Sequence, residues 1–506
     1  MRFLYLSFVL CFVVYGLTAV FSCGYYNPDE HYQVIEFAEL KSGPKQSADP
    51  AWEYDVKIRS ALQPGIACLV FASLRGLGLD DPYMLAMALR FSSMGLALFA
   101  ILAFVRSSLP LVAPGYKHAY VLLSCFLWFL PFLNVRFSSE NWSGLCFLLA
   151  LAFLQPTGRL TPTRSLLAGA FLGLSFLFRF QGAILTVGLL SWLLVIARPG
   201  RKHILLLLIG GALVLLAGIG IDTWFYGQPV YTPWNYFRVN LLEGAASSFG
   251  TSPLYFFVVT ILESPFYPFG ILLTISLLVM AIRSPKHYLV WTILPFLVLQ
   301  SAIPHKEIRF LFPVINLVPL LVILACQEWA LHPARSWLKN VIFWPLAALN
   351  VLFLVAMTFR PAGNTSKSIT QYIRGHYPEC SLNLIVTDIS NPYMPYLGLN
   401  ESFYGRDNTR ITHLDWWYRK DMEGLLRKGD VNLLVLRRME VQEPRFQELI
   451  QSLHFRELKQ SVPGWIQWLN KFYEPNDNEN VYILYTTDDP AGCLSFVPER
   501  GPDCPF

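Results

Sequence analysis

The stretch "SAIPHKEIRFLFPVI", residues 301–315, sets His305, Lys306, Glu307 and Arg309 between two strongly apolar runs. Only 14% of the chain is charged, so four ionisable side chains within five positions ask for a ligand. Three of them can carry positive charge and donate hydrogen bonds, which suits an anionic phosphate close to a membrane. Glu307 can orient Lys306 or Arg309, or accept from substrate hydroxyls. The competing reading is a solvated turn whose cations snorkel to lipid headgroups.

A second group lies near the N-terminus, where Asp29 and Glu30 follow the first apolar run in "NPDEHYQVIEFAEL". An aspartate there can take a proton from a hydroxyl, and an adjacent carboxylate raises its pKa toward useful basicity. The same residues also make a good helix start, with acids at the positive end of the dipole. The two readings are compatible, because a fixed helix start also fixes where a carboxylate points.

Trp52, Glu53 and Arg59 come next, in "AWEYDVKIRSALQP". Aromatic rings flanking a carboxylate can form a sugar-binding face, apolar on one side with hydrogen-bonding tips. They can equally form an interfacial belt on a helix lying along the bilayer. Arg136, Glu140 and Asn141 in "RFSSENWS", and Arg179 with Gln181 in "FRFQG", repeat the pattern of charge at the end of an apolar run. No His/Cys/Asp/Glu constellation with metal-ligand spacing is read from the sequence, so no metal and no cofactor is expected.

The elements that must position these residues are membrane helices. The chain has 506 residues and is 54% hydrophobic, and its repeated apolar runs of about 17–20 residues read as spans. We place them near 3–23, 83–105, 119–135, 142–155, 166–178, 180–197, 204–222, 254–282, 289–303, 310–326 and 341–358, about eleven in all. The first run is longer than a signal-peptide core and reads as an uncleaved anchor. The net charge of +5 is dispersed, with no basic stripe for nucleic acid.

With a cytoplasmic N-terminus, Arg106, Lys117, Arg159, Arg164, Arg198, Arg201, Lys202, Arg283, Lys286, Arg335 and Lys339 all fall in cytoplasmic loops. The opposite face receives the first loop, 24–82, with its amphipathic helices, and every candidate named above. Short extracytoplasmic loops should be poor in Lys and Arg, and that weakens the snorkelling reading of residues 305–309.

Two domains follow from the composition: a transmembrane module, 1–360, and a C-terminal extracytoplasmic α/β domain, 361–506. In the latter, strand-like runs ("LNLIVTD", "VNLLVLR", "NVYILYTT") alternate with helical ones ("RFQELIQSLH"). Six of the nine cysteines lie in or beside apolar stretches. Cys493 and Cys504 can bridge if the tail is extracytoplasmic. Sequons begin at Asn141, Asn364 and Asn400, the first of them close to the membrane.

In this order the motifs "NPDEHYQ", "WEYDVKIRSALQPG", "RFSSE", "YGQPVYTPWNYFRVN" and "HKEIRFLFPVI" resemble glycosyltransferase family 22, the polyprenyl-phosphate-mannose-dependent mannosyltransferases of GPI-anchor and N-glycan precursor assembly. The resemblance covers roughly 20–320. It implies a multi-pass α-helical fold of GT-C type, a lipid-linked mannose donor and a lipid-linked glycan acceptor, GPI-type precursors being favoured. It also implies that Asp29 is the base and that the His305–Arg309 motif lies close to donor or acceptor. The location implied is the endoplasmic reticulum membrane in a eukaryote, or the inner membrane in a bacterium, with the site on the extracytoplasmic face. Alternatives are a GT-C transferase for another lipid-linked sugar and a polytopic lipid or sugar transporter, although charges gathered at one face and the lack of a repeat argue against transport.

Overall fold

The structure, a computed structural model, describes residues 2–43, 50–154, 160–329, 336–362, 366–396, 399–414, 423–473 and 475–487. Arg159, Arg335, Asn364, Cys493 and Cys504 lie outside the described residues. The chain divides into two compact units: Met1–Ala19 with Trp52–Val70 and Ala88–Thr358, and Val20–Ala51 with Phe71–Met87 and Phe359–Phe506.

The first unit is helical. Among the described residues, four helices are long and apolar enough to cross a membrane: Arg2–Phe21, Pro82–Leu111, Arg201–Tyr226 and Ile308–Trp329. Shorter apolar helices, such as Ser139–Leu154, Pro162–Phe178, Gly182–Ala197 and Tyr288–Ala302, accompany them. Their shared core joins Tyr15, Phe104, Tyr120, Phe147, Phe296 and Leu320. Apolar helices of this length and composition make the chain a membrane protein.

Proline cuts two of the expected spans. Pro131 would clash with the carbonyl four residues before it, and the chain turns extended there at Leu127, so 119–135 becomes Lys117–Phe126 and Phe129–Asn134. The run 254–282 becomes Phe256–Glu263 and Tyr267–Arg283, with Phe266 at φ 69° in the break between Pro265 and Pro268. Elsewhere small residues let helices touch. A Cβ on Gly169 would lie 1.9 Å from the Leu207 carbonyl oxygen, and one on Gly210 would lie 2.1 Å from that of Leu166. Only glycine permits that approach between Pro162–Phe178 and Arg201–Tyr226.

The second unit is built on a five-stranded sheet: β1 Leu382–Val386, β2 Thr409–His413, β3 Val431–Arg437, β4 Arg456–Gln460 and β5 Tyr482–Thr486. Their order is β2-β1-β3-β5-β4, with β1 parallel to β2 and β3, and β5 antiparallel to β3 and β4. Alternate residues face opposite layers. Leu382, Leu384 and Val386 pack with Ile369 and Ile373 of the helix Ser366–His376. Ile385, Leu434 and Leu436 pack with Phe446 and Leu449 of Pro444–Ser452 and with Ile466 of Gly464–Tyr473. The unit also takes in residues 20–51 and 71–87, and with them both ends of the first loop.

Candidate functional site

In the first unit, the helix Tyr288–Ala302 ends at Ile303 and the chain turns through His305–Glu307 into Ile308–Leu317. That segment is a ten-residue 3₁₀-helix, far longer than such helices usually run. The turn is fastened to the loop before it. Ser252 N donates to the Pro304 carbonyl at 2.9 Å, and Lys306 Nζ donates to the Ser252 carbonyl at 2.7 Å. Lys306 is thereby held, buried, by backbone oxygens rather than by a carboxylate.

The fold carries Arg309 to Glu140, remote in sequence. Arg309 Nη2 donates to Glu307 Oε1 at 2.7 Å, and its Nε lies 3.7 Å from Glu140 Oε1. Arg179 Nη2 lies 3.3 Å from the same Glu140 oxygen. The Phe310 ring sits against both guanidiniums, at 5.3 Å from Arg179 and 5.6 Å from Arg309, a cation–π arrangement on each. Glu140, Arg179 and Arg309 are all buried. His305 Nε2 completes the group at 2.9 Å from Glu307 Oε1.

A glycine makes this approach possible. A Cβ on Gly144, one turn beyond Glu140, would fall 2.7 Å from Pro313 Cα. Glycine there lets the backbone of Ser139–Leu154 lie against the 3₁₀ segment that carries Arg309.

Trp52 stacks on Phe249 (5.7 Å, 23°), and Phe249 meets His305 edge-on at 6.2 Å, so the aromatic edge of the first loop reaches the turn. Glu53 and Arg59 pair with each other at 3.7 Å instead. Their segment is moored by Asp222, which accepts from Ala61 N at 2.7 Å and Thr232 Oγ1 at 2.5 Å. Arg136 is 1% exposed and lies over the Phe132 ring, 5.3 Å from its centroid. Asn141 is buried, its amide donating to the carbonyls of Asn134 and Arg136, so its sequon is closed to modification. Asn400, which opens another sequon, is exposed, whereas Glu401 after it is buried.

Asp29 and Glu30 belong to the second unit. Asn27 accepts from Asp29 N at 3.1 Å and caps the turn Pro28–Glu30, leaving Asp29 half-buried and Glu30 buried. The residues on either side are tied to the C-terminal segment. Tyr25 OH donates to Glu401 Oε1 at 2.7 Å, and Lys367 closes a buried ion pair on the other oxygen of Glu401. His31 lies between the Tyr25 and Tyr404 rings with Nε2 2.9 Å from Glu36 Oε1, which also accepts from Phe403 N at 3.1 Å. Burial pushes the His31 pKa down, and Glu36 opposes the shift. Burial also pushes the Lys367 ammonium down, to about 7.

Sequence reasoning missed Asp222, His31, Glu36, Lys367 and Glu401. A lone acid in the apolar run "GIGIDTWFY" was the available signal for Asp222. The others read as ordinary polar positions of a loop or a tail.

Helices of membrane length mark a polytopic membrane protein, and it holds a buried arginine–carboxylate cluster at the end of an apolar run. Its fold resembles that of ArnT from Cupriavidus metallidurans, whose crystal structure bound to undecaprenyl phosphate aligns with a TM-score of 0.50 at 12% identity, over 97% of this chain and 98% of that one. The chain belongs to the Alg9-like mannosyltransferase family, whose model matches residues 7–373. It is therefore a glycosyltransferase of the mannosyltransferase class.

Among the relatives, "GPI mannosyltransferase 3" of Yarrowia lipolytica is 30% identical over 388 residues, 74% of this chain and 71% of that protein. The Drosophila melanogaster protein of that name is 26% identical over 62% of this chain and 55% of its own length. "GPI alpha-1,2-mannosyltransferase 3" of Xenopus laevis is 25% identical over 57% and 54%. The chain thus matches little more than half the length of the last two.

Proposed function

We propose that this chain moves mannose from a polyprenyl-phosphate donor, dolichyl phosphate in a eukaryote, to a hydroxyl of a lipid-linked GPI-type precursor. The observation that carries the reading is the buried Glu140–Arg179–Arg309 cluster beside Lys306, in which cations outnumber carboxylates next to apolar helices. Such a group suits a phosphate whose lipid tail stays in the membrane. The relatives' names supply the sugar and the acceptor class.

The donor is already activated, because the bond from the anomeric carbon to phosphate oxygen breaks with both electrons leaving on the phosphate. The acceptor oxygen forms the new bond to that carbon and gives up its proton. Asp29 takes that proton, with Glu30 beside it as modulator or second candidate for the role. Lys306, Arg309 and His305 stabilise the departing phosphate, with Arg179 and Glu140 fixing the orientation of Arg309. Trp52, Glu53, Arg59, Arg136 and Glu307 serve substrate binding. One displacement inverts the anomeric centre, so a β-linked donor gives an α-mannoside.

In this reading the chain crosses the bilayer about eleven times with its basic loops cytoplasmic. The reaction then occurs on the extracytoplasmic face, the lumen of the endoplasmic reticulum in a eukaryote, where the segment 361–506 also works. The test is purified protein in detergent with radiolabelled dolichyl-phosphate mannose and a panel of lipid-linked glycans. Label should pass to a GPI-type precursor. Transfer of another sugar only, or lipid movement without a covalent product, would overturn the reading.

A further inference from the structure

The helix Gly464–Tyr473, "GWIQWLNKFY", is amphipathic in an inverted sense. Gln467 and Asn470 point inward, Gln467 Nε2 donating to Gln460 Oε1 at 2.8 Å and to the Val462 carbonyl at 2.6 Å, and Asn470 Nδ2 to Asn478 Oδ1 at 3.3 Å. Ile466 is the apolar anchor on that inner side. Facing outward are Trp465, Trp468 and Phe472, which are 45%, 58% and 73% exposed. Spacings of three and four residues put these rings on one stripe of the helix. Trp468 and Phe472 touch each other edge-on at 5.2 Å. A module in bulk water would orient such a helix the other way round, amides out and rings in.

The medium the stripe meets is set by its neighbours. The apolar helices Arg2–Phe21 and Ser336–Phe359 end side by side, their last residues in edge-on contact at 4.8 Å. The Trp465 ring lies 6.4 Å from that same Phe359 ring. Within its own unit, the stripe therefore begins beside the last residues of two apolar helices. Tryptophan concentrates at the membrane–water interface, where its apolar ring and its N–H both find partners. The helix carries Lys471 and no acid, which suits anionic headgroups.

We propose that Gly464–Tyr473 lies in the membrane interface, with Trp465, Trp468 and Phe472 among the headgroups and upper acyl chains. It thereby holds the sheet-bearing module down on the bilayer. The occupant of the stripe is lipid, and the inference stands whichever sugar the enzyme transfers.

The experiment uses the full chain in nanodiscs containing a photoactivatable phospholipid, whose carbene labels only residues in contact with lipid, with adducts mapped by mass spectrometry. In parallel, hydroxyl radicals label what water reaches. Carbene adducts on Trp468 and Phe472 are expected, with little oxidation of either. The double variant Trp468→Ser with Phe472→Ser, both at exposed positions, should lose carbene labelling across 464–473 while labelling of Arg201–Tyr226 is unchanged. Oxidation of Trp468 and Phe472 without carbene adducts would overturn the proposal. So would protection from both reagents, the signature of a protein partner or a second copy over the stripe.

Discussion

Arg179 reaches Glu140 with Nη2 3.3 Å from Oε1, and neither side chain is more than 5% exposed. Arg309 approaches the same oxygen at 3.7 Å. One carboxylate thus lies between two buried guanidiniums that arrive from separate segments, Glu307 is a further partner of Arg309 at 2.7 Å, and Phe310 fills the space against both guanidiniums. The arrangement joins packing to chemistry, because the contacts that hold the segments together also aim the cations.

The first prediction concerns that carboxylate. Glu140→Gln leaves two buried cations with their shared counter-charge gone, and breaking a buried pair in this way costs about 3–5 kcal/mol. Glu307 is 29% exposed, so solvent screens its pair with the buried Arg309, and Glu307→Gln should cost less than Glu140→Gln. Thermal unfolding in detergent should show a large drop for the first variant and a smaller one for the second.

The close approach at Gly144 gives the second. A methyl group there meets the Pro313 backbone at 2.7 Å, and backbone cannot step aside as a flexible side chain can. Gly144→Ala should cost about 1–3 kcal/mol by overpacking and move Glu140 away from Arg309. The expected readout is a lower unfolding midpoint together with a raised KM for the lipid-phosphate donor.

Much of this arrangement was legible beforehand, and the omissions have physical causes. Charges at 305–309 stood out because apolar runs flank them, and Arg179 and Glu140 stood out for the same reason. Their partnership was hidden, since periodicity describes one segment at a time and not which segments meet. Three strand-like runs coincide with β1, β3 and β5, whose residues are nearly all buried. The edge strands β2 and β4, "TRITH" and "RELKQ", are polar and half-exposed, with no apolar signal to read. Lys367 and Glu401 lie in a polar stretch with nothing local to mark them, yet each is at most 2% exposed.

The third prediction is a pH dependence set by His31. Burial holds its pKa below the ordinary histidine value of about 6.5, so the folded loop keeps the ring neutral where an unfolded loop would bind a proton. Below that value the unfolded state binds more protons, and stability falls with falling pH by up to about 1.4 kcal/mol per unit. Above it, His31 adds no pH dependence. Hydrogen exchange of the peptide 28–42 should speed up on acidification through this window, and His31→Gln, which keeps a donor toward Glu36, should remove that part of the slope.

The central claim, that Asp29 deprotonates the attacking hydroxyl, is tested most directly by the turnover of purified Asp29→Asn with dolichyl-phosphate mannose and a GPI-type acceptor. The amide keeps the size of the side chain and the backbone bond to Asn27, so thermal unfolding should match the parent. Transfer should fall by a factor of about 10²–10⁴, the usual contribution of a positioned base. Near-normal turnover in a fully folded variant would contradict the account.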